Sequence, residues 1–258
     1  MAGLVAIERT ARSTAVLVRL LSLVVLMLIW EIVARLVGSR LLPPASTVAA
    51  VIARETASGA LPRNLAITCA RIACAFTLST VLGTVLGLAM GLRRELDLAL
   101  DSWLTVLLNL PALVVIVLAY VWFGLNEFSL VLAVTLNKLP ATAVTVREGA
   151  RALDRDLAEM ARSFRMRRWL VLRHVVLPQL IPYLIVAARS GLALIWKIIL
   201  VAELLGRSSG VGFQIEVFFQ LFDVAGILAY TIAFALIVQL IEWVLLQPLE
   251  RHVTRWRR

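Results

Sequence analysis

Charge is scarce in this chain, and so are three side chains that usually carry chemistry. Of 258 residues only 16% are Asp, Glu, Lys or Arg; there are 2 histidines, 2 cysteines and, among the basic residues, only two lysines, Lys138 and Lys197. A soluble domain carries roughly 25% charged and 45–50% apolar residues. The shortage of charge, set against 61% hydrophobic residues and a mean hydropathy of +0.93, excludes an ordinary soluble enzyme, a disordered chain and a fibrous one. Cys69 and Cys74 lie five apart in an apolar block. That spacing sets them on different faces of one helix, poor geometry for a disulfide, and without histidines beside them they form no metal site. His174 and His252 stand in no acid–nucleophile constellation, and neither lysine sits in a Gly-x4-Gly-Lys-Ser/Thr phosphate loop. The chain is therefore expected to be no enzyme, to hold no cofactor and to hydrolyse no ATP itself. The formal net charge of +10 comes without an aromatic-interleaved basic motif, which points to loops at a membrane face and away from nucleic acid.

What is abundant is apolar sequence in long blocks. At about 20–25 residues per helix with connections, the chain reads as an all-α polytopic membrane protein. One transmembrane domain over 1–258 is expected, with six spans near 16–37, 65–91, 103–123, 128–146, 178–205 and 225–246. The first block is too long for a signal-peptide core and is read as a retained span; within it Glu31 and Arg35 are spaced to pair on one helix face. Gly83, Gly87 and Gly91 recur every four residues, the pattern of a close helix–helix contact in a bilayer. Pro111 is expected to kink or restart the third span. Sixteen Lys/Arg residues flank the spans on the side of both termini and the polar loop 147–174, against four (Arg40, Arg54, Arg63, Arg207) on the other. That bias predicts that the termini and this loop face the cytoplasm.

The polar loop reads Asp156-Leu157-Ala158-Glu159-Met160-Ala161-Arg162-Ser163-Phe164-Arg165 and ends in Val175-Val176-Leu177-Pro178. A short amphipathic helix with Leu157, Met160, Ala161 and Phe164 on one face cannot span a membrane. It can present apolar and small residues to a partner groove beneath the bilayer, or it can lie among lipid head groups. The segment resembles the EAA motif of permease subunits in type I ATP-binding-cassette importers. Glu159 and Ala161 match, Met160 is a variant, Leu177 and Pro178 close the pattern, and the motif's glycine falls on Arg165. The resemblance implies a coupling helix that docks on a separate ATPase, with ATP and Mg bound by that partner. It also implies an extracytoplasmic binding protein, a second permease copy (identical or different) and a bacterial inner-membrane location in contact with lipid. A glycine at position 165 would favour a turn with positive φ; with arginine the turn is rebuilt, docking is weaker, or a different second permease compensates. Leu42-Pro43-Pro44 with Thr47-Val48, Trp122 to Glu127, Val201-Ala202-Glu203 and Ser209 to Phe213 resemble, more narrowly, the nitrate, sulfonate and taurine branch. From that branch a small anionic solute is expected.

Ionisable groups inside spans cost on the order of 3 kcal/mol on insertion scales and face protein or water. Lys138 and Lys197 are candidates to line an anion path, or else they are structural donors to a carboxylate or helix carbonyls. Asn109, Asn137, Trp196 and Glu203 are further pathway candidates, each with a packing role as the alternative; Arg71 and Arg189 are expected to snorkel or pair. A rival from another class is an ion-coupled carrier or channel working without an ATPase.

Overall fold

The computed structural model describes residues 2–246, and no strand occurs among them. Eleven α-helices follow in order among the described residues: α1 Ala2–Val37, α2 Ala45–Ala57, α3 Ala60–Leu92, α4 Arg94–Asn109, α5 Ala112–Phe123, α6 Glu127–Arg151, α7 Arg155–Ser163, α8 Arg168–Val171, α9 Leu177–Gly206, α10 Val211–Gln220 and α11 Val224–Ile241. Wide π-turns at Leu172–Val176 and Glu242–Leu246 continue α8 into α9 and extend α11. The described residues pack as two units, one of 2–61 with 215–233, the other of 62–214 with 234–246.

Among the described residues four helices are long and apolar enough to cross a membrane: Ala60–Leu92, Glu127–Arg151, Arg168–Gly206 and Val224–Val244. Together with the apolar run of α1 over 16–37, they account for five of the six spans read from the sequence. The remaining one is interrupted where Pro111 was expected to kink or restart it. The expected span 103–123 is a broken pair, α4 and α5, bent by 98°. Leu110 and Pro111 are both extended between them, because proline cannot donate to the turn behind it and pushes the preceding residue out of helical conformation. Two further boundaries move. The polar loop does not begin at 147, since α6 runs on to Arg151. The fifth span does not begin at Pro178, since helix is continuous from Arg168. The π-turn accommodates that proline: the Leu177 N–H bonds to the Leu172 carbonyl, one residue further back than in an α-helix. The basic tail from Arg251 lies outside the described residues.

In the larger unit α6 is the central helix. Its start is set by Asn126, whose side chain accepts the Ser129 N–H at 2.9 Å, a capping bond that satisfies one open donor. The glycine series of α3 packs on it as expected. A Cβ at Gly83 would lie 2.7 Å from Thr142 Cβ, and one at Gly91 2.9 Å from the Arg147 carbonyl, while Gly87 lies against Ala143. On α9, Gly191 faces Lys138 of α6. Small residues bring backbones close where lipid offers no hydrophobic drive for association.

The smaller unit has its own cluster, Val48 and Val51 of α2 against Ala229 of α11. Trp30 donates to the Pro43 carbonyl at 3.1 Å. Glu31 pairs with Arg35 at 2.6 Å and accepts the Ser46 N–H at 3.0 Å, which holds the proline turn beside α1.

Candidate functional site

The EAA-like segment forms the nine-residue helix α7 because both ends are closed by local chemistry. Asp154 precedes it in extended conformation and accepts the Asp156 N–H at 2.8 Å, as an N-cap does. Asp154 also donates its own N–H to Gln179 Oε1 at 2.9 Å, and Gln179 Nε2 donates to the Val175 carbonyl at 2.9 Å. One amide side chain, absent from the sequence reading, thus ties the start of α7 to the first turn of α9. At the other end the Arg165 N–H reaches the Arg162 carbonyl at 2.9 Å, and the Met166 N–H reaches the Ala161 carbonyl at 3.0 Å. This paired closure requires a left-handed residue just past the helix. Arg165 is that residue, with φ +47°. The turn is therefore kept, not rebuilt, at a strain of order 1 kcal/mol for a side chain in that conformation.

Leu157, Met160 and Phe164 are 38%, 46% and 75% exposed, and Glu159 is exposed as well. Ala161 departs from the expected shared face: it is only 1% exposed. At about 100° per residue it sits on the edge of the arc farthest from Met160, where its short side chain is covered by its own chain. The apolar row that α7 presents is therefore Leu157, Met160 and Phe164. Leu177 is half-buried and Pro178 exposed, both inside the continuous helix.

A second constellation surrounds Arg71, which is 5% exposed. Its Nε and Nη2 donate to the two Glu127 oxygens at 2.8 and 2.5 Å. Nη1 donates to Glu203 at 2.6 Å and to the Ser209 carbonyl at 2.7 Å, and Nη2 also reaches the Ser209 hydroxyl at 3.0 Å. All five guanidinium donors are in use. Glu203, fully buried, also accepts from the Thr68 hydroxyl at 2.9 Å and from the Gly212 N–H at 2.9 Å. Thr68 accepts the Val211 N–H at 2.9 Å, and Asn64 accepts the Gly210 N–H at 2.8 Å. Arg207 adds a bond from Nη2 to Glu127 at 2.5 Å and one from Nη1 to the Leu125 carbonyl at 2.7 Å. Gly210, at φ +106°, lets the loop close over Glu203, because a Cβ there would collide with the carboxylate. Two arginines balance two glutamates, and buried charges persist only when so paired and hydrogen-bonded.

Three short segments singled out from the sequence (122–127, 201–203 and 209–213) meet at this arginine. The sequence offered one signal, a charged or glycine member in each near a span end. It gave no hint of their common partner on α3. Glu203 thus belongs to a closed cluster whose donors all come from the protein.

The opposite end of α6 carries a looser cluster. Arg147 pairs with Asp97 at 3.2 Å and with Asp101; Arg151 pairs with Asp97 and, at 3.1 Å, with Glu148. These contacts join α4 to the turn that leads into α7.

The remaining pathway candidates separate. Lys138 is 4% exposed, and its Nζ lies 3.5 Å from Ser190 Oγ. Lys197 is exposed and sits over the Trp196 ring, 5.4 Å from its centroid; Trp196 packs near Phe234 with ring centroids 5.9 Å apart. Asn109 donates to the Thr105 carbonyl of its own helix at 2.7 Å, and Asn137 is half-buried on α6. Arg189 pairs with Glu242 at 3.8 Å at the edge of a cavity of about 390 Å³ between α9 and the end of α11.

Apolar helices of membrane length and a glycine-packed α3–α6 pair define a multi-pass helical membrane protein. A family model described as the binding-protein-dependent transport system inner membrane component matches residues 79–247. The chain belongs to that family and is a multi-pass inner-membrane permease subunit of an ATP-binding-cassette importer. It is 33% identical over 230 residues to the protein of Escherichia coli K12 named as the aliphatic sulfonates transport permease SsuC, covering 88% of this chain and 87% of that one. It is 32% identical over 237 residues to the riboflavin transport system permease RibX of Chloroflexus aurantiacus, covering 91% and 88%. Among solved structures, one described as inward-facing conformations of the MetNI methionine ABC transporter matches with a TM-score of 0.64 at 18% identity, covering 78% of this chain and 98% of that one. That likeness speaks to the fold.

Proposed function

We propose that this permease carries a small organic or inorganic anion and is driven by a separate ATPase seated on α7. A binding protein delivers solute to the opposite face, and a second permease copy completes the path. The observation that carries the coupling is the exposed row Leu157, Met160 and Phe164 on a helix clamped at both ends and linked through Gln179 to α9. An apolar row held out in this way suits a groove on a partner, and the rigid link suits transfer of a stroke from that partner to a span. The bias of Lys/Arg toward the α7 side supports a cytoplasmic position for α7 and both termini. The Arg71 cluster then lies at the outer face. The scarcity of acid in the spans and the two intramembrane lysines favour an anion such as a sulfonate, nitrate or carboxylate. The sulfonate permease relative favours the same class, although the riboflavin relative is just as similar.

Co-purification with a tagged ATPase, together with transport-linked ATP hydrolysis, tests the coupling. Phe164→Asp and Glu159→Lys each point outward from α7 and are expected to cut ATPase capture at least ten-fold. Retention of both partner binding and linked hydrolysis in the two variants overturns the docking assignment.

A further inference from the structure

We propose that the Lys138 ammonium, reached past Ser190, is the group that binds the anionic head of the transported solute, in the cavity against α9. This rests on the reading above that the solute is an anion. Each of Arg35, Arg71, Arg147, Arg151, Arg189 and Arg207 has a carboxylate partner. Lys138 is more deeply buried than most of them, and its one polar contact is Ser190 Oγ at a long 3.5 Å. That hydroxyl in turn bonds the Ala187 carbonyl at 3.2 Å. Among the described residues no carboxylate pairs with Lys138. An ammonium in the middle of a span without a counter-charge is costly, and a solute anion supplies one.

The surroundings give such an anion room. Gly191 makes a notch for the lysine stem: a Cβ there would lie 2.7 Å from Lys138 Cε. Next to it, Ser190 lines the cavity of about 390 Å³ together with Val186, Arg189, Trp196 and Glu242, a volume within the roughly 300–1,000 Å³ of small-molecule sites. Val186, Arg189, Ser190, Ala193 and Lys197 are all exposed and recur at helical spacing on one face of α9. Cations and a hydroxyl on one face of a span turn toward water or protein, not lipid. Glu242 answers Arg189 at 3.8 Å, whereas Lys138 and Lys197, on the neighbouring turns of α6 and α9, have no carboxylate partner among the described residues. A sulfonate or carboxylate in the cavity meets the Ser190 hydroxyl, with the Lys138 ammonium 3.5 Å behind that oxygen as its counter-charge, while its apolar remainder lies on Trp196 and Val186. Coulomb attraction is strengthened by the reduced dielectric.

The test begins with ATP-driven uptake of ethanesulfonate, benzoate and nitrate by the complete transporter in proteoliposomes. Equilibrium binding of whichever probe is carried is then measured on the permease–ATPase complex in nanodiscs, without binding protein. Lys138→Gln is expected to weaken binding at least ten-fold and Ser190→Ala about three-fold. The neutral isostere of the probe, a sulfonamide or amide, should compete equally poorly against both wild type and variants. Size-exclusion chromatography reports whether Lys138→Gln still assembles; if it does not, Ser190→Ala decides. Uptake by wild type with variant affinities within two-fold of it overturns the site and leaves the anionic reading standing. A wild type that carries none of the three probes overturns that reading and the site with it.

Discussion

The two ends of α6 solve the same electrostatic problem in opposite ways. At Glu127 a buried arginine spends every donor on protein acceptors, and a glycine loop seals the carboxylate of Glu203 from outside. At Arg147 and Arg151 the acids are half-exposed or exposed, the pairs share partners, and α7 stands next in the chain with an apolar row uncovered. The first end holds α3, α6 and α9 together through direct bonds from Arg71 to Glu127 and Glu203. The second leaves surface for something else to grip. A transport subunit needs one region that keeps its helices in register and another that a motor can move, and a 25-residue helix, about 37 Å long, separates the two.

That contrast can be broken experimentally. Arg71→Met should cause the deepest loss, about 3–5 kcal/mol, because it strands the buried Glu203 carboxylate, while the exposed Glu127 keeps Arg207; thermal unfolding of the detergent-solubilised protein measures it. Gly210→Ala is expected to follow at about 1–3 kcal/mol, from a side chain forced into positive φ and against Glu203, and the same melt reads it. Arg147→Ala should cost about 1 kcal/mol or less and lose its effect at high salt, as partly exposed pairs do. A loss equal to that of Arg71→Met would erase the distinction between the two ends. Arg165→Gly should raise stability slightly, by about 1 kcal/mol, by removing a side chain from a left-handed position. ATPase capture by that variant should equal or exceed wild type, since the turn itself is unchanged.

Several features were legible in the residues because they are local. The glycine spacing in α3 announced a tight partner, and Gly83 and Gly91 do press on Thr142 and Arg147 of α6. The motif around Glu159 announced a short helix, and Asp154 and the turn at Arg165 bound it. Pro111 announced a break, but an angle of 98° depends on what α4 and α5 pack against, which no local preference encodes. The covering of Ala161 was not legible for a similar reason: periodicity gives an arc, and only the chain behind it decides which edge is covered.

The arginine-centred cluster illustrates the limit more sharply. Its hydrogen-bonded partners lie up to 146 residues apart, and nothing in the local environment of Arg71 distinguishes pairing from snorkelling. Lys138 and Arg189 looked alike in the sequence as charges in spans, yet one has a carboxylate and the other does not. Composition, block length and spacing by themselves determined the solvent of this protein, its helical class and the short amphipathic helix around Glu159, because hydrophobic transfer and helix caps act within a few residues. Which charges neutralise one another, and which one is left without a partner, was decided only by tertiary packing, since Coulomb pairing and desolvation depend on distances that exist once the helices are assembled.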